Sequence, residues 1–464
     1  LLHFIESSRV MSQEPNAYPE LRLLKGTADQ PPERQIRRQA VMAVIRDVYE
    51  TFGYSPLETP ILSHFEVLAL KYGPGDPILE EIFHATDRGK RDLGLRYDLT
   101  VPFSRFVGMA LQGHFSLPFK RYEMGKVFRD GPIKEGRLRE FTQCDADVVG
   151  IADPAADAEC LMMAEMVFSR IGIDMEIELN NRKILWGILE EAGLESAQRE
   201  AATTTVDKWD KVDRAEIVRE LTALGLHGEQ MEQVFQRLEL SGGIEIIEQL
   251  KSTLTSEVAA EGLRELEAVL ETAQDFGLSM DRIRIVPRLA RGLGIYTGTI
   301  FEFFCRDRSV ISSSLGSGGR FDRIVGEFLH PAEPEKQANY PCVGVSFGIE
   351  PISVALDKMA ADQIERKTVT EVLVVPMNTR KEALALAGRL RRAGARTDID
   401  LSGGRLKKAF KRADQMGIPY LVLLGEDELA AGECTLRDMK SGEQLRLKLD
   451  SAAEEIARRC EALR

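Results

Sequence analysis

YEMGKVFRDGPIKEGRLREFTQCDADVVG, residues 122–150, decides the fold. An alternating apolar segment runs to Phe128-Arg129. A polar, turn-rich loop follows with Gly131, Pro132, Lys134, Gly136, Arg137 and Arg139. A second segment begins near Phe141 and carries Gln143, Asp145 and Asp147 at alternate positions. Side chains two apart in a strand share a face, so this is a hairpin with three acceptors on one side of a sheet. Arginines stand at the end of the first strand and in the loop. Their planar forks suit a phosphate, through paired charge-assisted hydrogen bonds. The acceptors suit a cationic or hydrogen-bonding group at the other end.

The segment resembles motif 2 of class II aminoacyl-tRNA synthetases, and within them the histidyl-tRNA synthetase family. That family has a strand ending in Phe-Arg, a Gly-Arg-x-Arg loop, and a Phe-x-Gln strand with an acid four residues on. Here these are Phe128-Arg129, Gly136-Arg137-Leu138-Arg139 and Phe141-Thr142-Gln143 with Asp147.

Upstream, Pro31-Pro32-Glu33 opens an expected helix to Phe52, with Ile36, Ala40, Val44, Ile45 and Val48 at helical spacing. The extended segment Ser55–Leu62 follows. Together they resemble motif 1, which in the family forms a dimer interface. Glu81–Ala85 and Leu93–Tyr97 are expected as strands about the turn at Asp87–Lys90, and a helix with Phe103, Phe106 and Val107 follows. Another helix is expected over Pro154–Ile171, capped by Asp153. From 195 to 280 aromatics thin out and charged amphipathic helices dominate, as in an insertion. Strands are expected at Glu176–Leu179, Ile283–Val286, Gly298–Phe304 and Cys342–Phe347, and a helix over Glu350–Met359.

After a charged linker at 360–369, strands at Glu371–Val375, Arg396–Leu401 and Tyr420–Leu424 alternate with helices near Arg380–Ala393 and Arg405–Met416. That order predicts a small parallel or mixed sheet covered by helices. The tail resembles the anticodon-binding domain of histidyl-, prolyl-, threonyl- and glycyl-tRNA synthetases. The expected fold is therefore an α+β catalytic domain, an antiparallel sheet flanked by helices, at 20–194 and 281–359. It carries a helical insertion at 195–280 and a C-terminal α/β anticodon-binding domain at 370–464. Residues 1–19 are set apart as an N-terminal extension.

Bulk properties narrow the function. The chain has 464 residues and a net charge of −13, which disfavours unspecific binding to a polyanion. A basic surface is nevertheless expected in the tail, from Arg389, Arg391, Arg392, Lys407, Lys408, Lys411 and neighbours. The six cysteines are scattered without CxxC or Cys/His clusters, so neither zinc nor a disulfide framework is indicated, as suits a cytoplasmic protein. No apolar run is long enough to span a bilayer, and the start lacks the blocks of a signal peptide.

The resemblance implies ATP and histidine as substrates, Mg²⁺ carried mainly by the ATP phosphates, tRNA(His) as acceptor, and a homodimer. By match, Arg129 and Arg291 face the α-phosphate, and Arg137 the β/γ end of ATP. Phe141 stacks on adenine. Asp98 and Thr100 hold the α-amino group, Gln143 helps at the backbone end, and Asp147 faces the ring. Arg291 opens the run Arg291-Gly292-Leu293-Gly294-Ile295-Tyr296, which is similar to the family's Arg-Gly-Leu-Asp-Tyr-Tyr signature, and Tyr296 matches the tyrosine on the substrate imidazole. The glycine cluster Gly316–Gly319 is expected to form a pocket wall, its backbone close to a ligand.

The chain departs from the family at four places. Gly294-Ile295 replaces Asp-Tyr, Phe321 replaces a tyrosine, Ala28 replaces the arginine of Lys-Gly-Thr-Arg-Asp, and Pro351 stands where motif 3 has the γ-phosphate arginine. Arg323 is the candidate replacement for that last charge. Two alternatives follow from these departures. One is a histidine-binding regulatory subunit of ATP phosphoribosyltransferase, although such subunits usually lack the C-terminal domain. The other is a non-catalytic tRNA-binding sensor.

Overall fold

A computed structural model describes residues 21–70, 77–111, 116–133, 135–291, 294–329, 338–359, 367–403 and 406–463. The extension at 1–19, most of the linker at 360–369, and Lys134, Gly292, Leu293 and Arg405 lie outside the described residues.

The hairpin is the centre of the main sheet. Strands Phe119–Phe128 and Glu140–Val149 pair antiparallel over ten residues each. Gly136, at φ +73, turns the loop between them, a conformation that costs glycine little. The full sheet has eight strands in the order Ser55–Pro56, Phe119–Phe128, Glu140–Val149, Cys342–Gly348, Gly316–Arg320, Thr299–Cys305, Met175–Asn181 and Ile283–Ile285. It is antiparallel in the middle and parallel at both edges, where Ser55–Pro56 meets Phe119–Phe128 and Ile283–Ile285 meets Met175–Asn181. The sheet is thus mixed, not wholly antiparallel as expected. Each edge pair is separated by a long excursion, 57–118 at one edge and 182–282 at the other, which allows parallel pairing where a tight turn does not.

One face of this sheet is covered by helices Pro32–Thr51 and Ala155–Ile171, whose Val41, Ile45, Val48, Leu161, Ala164 and Phe168 share a core with Cys144, Ala146, Val148, Val345 and Phe347. These strand positions alternate with Gln143, Asp145 and Asp147, so the acceptors are driven to the opposite face. Helix Pro32–Thr51 starts with proline in its first turn, where the missing N–H is no loss. Helix Ala155–Ile171 starts one residue later than expected, and the Asp153 carboxylate accepts from Ala155 N at 2.9 Å.

Five helices between Ser196 and Asp275 form the expected helical region. Helix Glu257–Asp275 packs on helix Arg182–Glu191, and Gly187 is needed there because a Cβ would come 2.4 Å from Ala259 Cβ. The region therefore joins the core of the main sheet.

One expectation fails in this part. Glu81 ends a short helix, Pro77–Glu81, instead of opening a strand, and the strand is only His84–Thr86. Proline at the head of that turn favours helix over strand. The glycine run is itself a strand, Gly316–Arg320. Glycine is poor in strands, but here a Cβ on Gly318 would lie 2.5 Å from the Phe301 ring. Neighbouring bulk demands the small residue.

The C-terminal unit has a five-stranded sheet ordered Thr397–Ile399, Val372–Pro376, Tyr420–Leu424, Glu433–Asp438 and Gln444–Lys448. The first three are parallel, as the expected alternation of strands and helices requires. The last two add an antiparallel meander that was not anticipated. Its two faces carry separate apolar clusters, one under helices Arg380–Arg392 and Ala452–Glu461, the other under Leu406–Met416.

Candidate active site

On the open face of the main sheet lies a cavity of about 1240 Å³. Nine expected residues line it: Asp98, Thr100, Arg129, Arg137, Phe141, Gln143, Asp147, Arg291 and Tyr296. They come from five parts of the chain and meet only because the strands bring them side by side.

Arg129 is the most tightly framed cation. Its Nε donates to Tyr97 O at 3.1 Å, and its guanidinium lies 4.2 Å from the Tyr97 ring centroid and 5.0 Å from that of Phe141. The two aromatic rings flank the fork while leaving its Nη1 and Nη2 available. Arg137 is about half exposed, 3.9 Å from Glu81, which also accepts from the Tyr97 hydroxyl at 3.0 Å. Arg291 has φ 50, a strained conformation for a side-chain-bearing residue, and its guanidinium is held by Glu302 at 2.6 Å. It also lies 5.7 Å from the Tyr296 ring.

At the other end, Asp98 Oδ1 accepts from Val101 N at 2.9 Å, so this carboxylate also caps helix Thr100–Leu111. Gln143 Nε2 donates to Ser346 Oγ at 3.0 Å, which leaves its buried Oε1 without a hydrogen-bond partner. Asp147 Oδ2 is 2.6 Å from Arg121 Nη2. Arg121 is its register partner on the neighbouring strand and is wholly buried. The contact is off-axis, and Arg121 Nε and Nη1 have no hydrogen-bond partner.

Burial pushes the Asp145 carboxyl up to about 7, with Asp147 adding to the rise and Arg121 opposing it. Burial raises Asp147 as well, against the pull of Arg121. A group that holds its proton more firmly folded than unfolded lends stability below the ordinary carboxylate range and loses it as pH rises through its folded value. Asp145→Asn is therefore expected to raise the melting temperature at about pH 8, on the order of a few degrees, and less at about pH 5. Thermal melts at the two pH values check this, and an equal or lower melting point at about pH 8 would contradict it.

Arg323 is not where it was expected. It is exposed at the start of helix Ile324–Leu329 and does not line the cavity; its charge bears on Arg182 instead. The helix turns the side chain away from the sheet face, so no replacement for the motif 3 arginine comes from here. Pro351 does line the cavity, and a Cβ on Gly136 would come 3.3 Å from its Cα. The neighbouring Glu350 is bound to Arg38 at 2.8 Å and to Thr142 N at 3.1 Å, which ties helix Pro32–Thr51 to the hairpin. Arg323→Ala is expected to leave the KM for ATP within about twofold, while Pro351→Arg lowers it by about tenfold, the scale of one charge-assisted contact. Steady-state exchange kinetics on both variants would test the assignment.

Several residues were missed. Ser346 follows from the alternation Gly344, Ser346, Gly348 against Val343, Val345, Phe347. Arg121 follows from extending the hairpin register backwards to its partner Asp147. Glu302 and Glu178, opposite each other on adjacent strands, carry no local signal, and neither does Arg308, 2.9 Å from Glu178. The helical region supplies Thr204–Lys211 to the rim, including Lys208 and Lys211. Only the folded chain shows that.

Residues 26–352 match the family model described as histidyl-tRNA synthetase, and residues 371–459 match that of the anticodon binding domain. The chain belongs to the histidyl-tRNA synthetase family. Histidine–tRNA ligase 2 of Shouchella clausii is 41% identical over 419 residues, covering 90% of this chain and 96% of that one. Histidine–tRNA ligase 1 of Bacillus cereus is 39% identical over 436 residues, covering 93% and 98%. Among solved structures, histidyl-tRNA synthetase from Nostoc sp. PCC 7120 superposes with a TM-score of 0.81 at 30% identity, covering 95% of this chain and all of that one. An ATP phosphoribosyltransferase regulatory subunit/histidyl-tRNA synthetase from Bacillus halodurans shares the fold, with a TM-score of 0.71 at 19% identity.

Proposed function

We propose that this chain is a histidine–tRNA ligase, which joins histidine to ATP as histidyl-adenylate with release of pyrophosphate and then passes the histidyl group to tRNA(His). The observation that carries this is the single cavity face on which Arg129, Arg291, Gln143, Asp98 and Tyr296 converge. Kinship with histidine–tRNA ligases along nearly the whole chain, anticodon-binding domain included, favours it over a regulatory subunit or a sensor.

The reaction needs the histidine carboxylate in line with the α-phosphorus, and charge on the α-phosphate oxygens neutralised. Arg129 and Arg291 both serve the α-phosphate. Arg137, at a long contact of 3.9 Å from Glu81, swings to the β/γ end. Phe141 stacks on adenine, and Pro351 leaves that end with one charge fewer than usual in the family. Asp98 and Thr100 take the ammonium group, Gln143 the backbone end, and Asp147 with Tyr296 stands at the ring end.

Magnesium enters on the ATP phosphates. An ion of this kind keeps water and phosphate ligands. Glu302 and Glu178 are the carboxylates that would hold it, and the ion would supply charge neutralisation for departing pyrophosphate.

We assign the catalytic unit to 20–194 and 281–359, the insertion to 195–280 and the RNA-binding unit to 370–464. Exposed Ile61 and Leu62, in the extended segment that follows helix Pro32–Thr51 in the chain, support a homodimer through the region that resembles motif 1. All six cysteines are free, which suits a reducing cytoplasm. No helix of the described residues is long and apolar enough to cross a membrane. Amino-acid-dependent ATP–pyrophosphate exchange on the purified chain tests the activity. Histidine is expected to support exchange, and a folded protein that gives none would refute the ligase reading.

A further inference from the structure

The cavity carries more cations than Arg129, Arg291 and Arg137. Lys208, Lys211, Arg284, Arg288 and Arg308 line it as well. Lys208 is bound to Glu220 at 2.8 Å and Lys211 to Asp207 at 2.7 Å, both within the helical region. Arg288 is level with the C-terminal end of strand Met175–Asn181, where Asn180 Nδ2 donates to Pro287 O at 2.8 Å and to Leu289 O at 2.9 Å. Arg284 is on the outermost strand, and its Nε donates to Ser241 Oγ at 2.6 Å. Arg308 is placed differently from all four.

Strand Thr299–Cys305 turns Phe301 and Phe303 into the core and Glu302 and Phe304 onto the cavity face. Just past the end of that strand, Arg308 folds back over it, with its Cζ 3.7 Å from the Phe304 ring centroid. Its Nη2 donates to Glu178 at 2.9 Å and to Glu176 at 3.2 Å, two carboxylates on the next strand. Nε and Nη1 have no hydrogen-bond partner among the described residues. Burial holds Glu178 above the usual carboxylate range, and Arg308 is the main charge opposing that rise. Pro351 stands at the same end of the sheet. A Cβ on Gly348 would come 2.9 Å from its Cγ, Gly348 N donates to Leu315 O at 3.0 Å, and Leu315 N donates to Phe303 O at 2.8 Å. Pro351 and the Phe304 ring are thus two strands apart, roughly 10 Å at the usual strand spacing. Exposed Ser312 and Ser313 line the cavity from the loop that joins the two inner strands.

We propose that Arg308 binds the terminal phosphate of ATP and supplies, from across the sheet, the charge that Pro351 leaves out. This rests on the reading of the chain as an ATP-using ligase. A guanidinium stacked on a ring keeps its in-plane donors for an oxyanion. The carboxylates of Glu176 and Glu178 hold one corner of the fork, and Nε and Nη1 remain for a paired, charge-assisted bond to phosphate. The terminal phosphate departs with pyrophosphate, so Arg308 touches no reacting atom. It is a substrate-binding residue, and it acts on the affinity for ATP more than on the rate of the chemical step. AMP has no phosphate that reaches it.

The test is calorimetric titration of the full chain and its Arg308→Ala variant with ATP, in magnesium buffer, and with AMP. The variant is expected to bind ATP about ten- to a hundredfold more weakly, the loss of one charge-assisted contact, with AMP and histidine affinities within about twofold. Pyrophosphate exchange should show the same rise in the KM for ATP, with kcat little changed. Arg308→Lys should recover part of the loss, and Pro351→Arg added to Arg308→Ala should restore ATP binding, since both cations serve one phosphate. Thermal melts establish folding, and Arg308→Gln, which keeps a donor for Glu178, carries the same expectation if the alanine variant does not fold. A residue that only balanced Glu176 and Glu178 would leave the ratio of ATP to AMP affinity unchanged. A folded variant that keeps the wild-type ratio therefore overturns the proposal, and so does a wild-type chain that binds ATP no better than AMP. Wild-type protein that prefers ATP yet gives no exchange with histidine removes the ligase reading, while the ratio still decides on Arg308.

Discussion

Arg129→Ala and Arg291→Ala are each expected to slow histidyl-adenylate formation at least about a hundredfold, the scale of removing one donor that acts on transition-state charge. The two arginines reach the cavity from different parts of the chain, one from the hairpin and one from the segment before strand Thr299–Cys305. Each is preorganised by neighbours: Tyr97 and Phe141 flank Arg129, and Glu302 grips Arg291. Preorganisation is what makes such groups effective when charge develops on the α-phosphate. Arg129→Lys should also be poor, since a point charge replaces a fork flanked by two rings. Single-turnover adenylate formation would measure both effects, and a near-normal rate in either alanine variant would contradict its role.

Removing residues 370–464 is expected to leave histidine activation largely intact and to abolish most tRNA charging. The five-stranded unit has its own apolar clusters on both faces of its sheet, so the main sheet does not depend on it for its core. Lys407, Lys408 and Lys411 stand exposed on helix Leu406–Met416, available to a phosphate backbone. Unstacked anticodon bases give sequence readout, and backbone charge adds salt-dependent affinity. Charging by the full chain should therefore fall steeply with salt while activation does not. Equal charging by the truncated protein would defeat the assignment of this unit.

Most of the cavity face was legible before the fold. Alternation in one strand placed Gln143, Asp145 and Asp147 together, and the buried partners Cys144, Ala146 and Val148 confirm that face by default. Helix Pro32–Thr51 and helix Ala155–Ile171 followed from spacing and proline position. What escaped depends on distant chain. Glycines at 316–319 resemble a loop locally, and only the Phe301 ring pressed against Gly318 explains a strand there. Arg323 failed because proximity in sequence to Arg320 says nothing about which way a helix start faces. Arg320 itself is turned to Asp157, away from the cavity. The rim contributed by Thr204–Lys211 could not be read at all, since those residues are ordinary helix-end residues until the helical region folds back over the sheet.

The most direct measurement is ATP–pyrophosphate exchange by the purified full chain with each amino acid in turn. Histidine alone should support exchange, at a rate cut at least about a hundredfold by Arg129→Ala. Exchange driven by another amino acid, or none with histidine in a protein that melts cooperatively, would contradict the account.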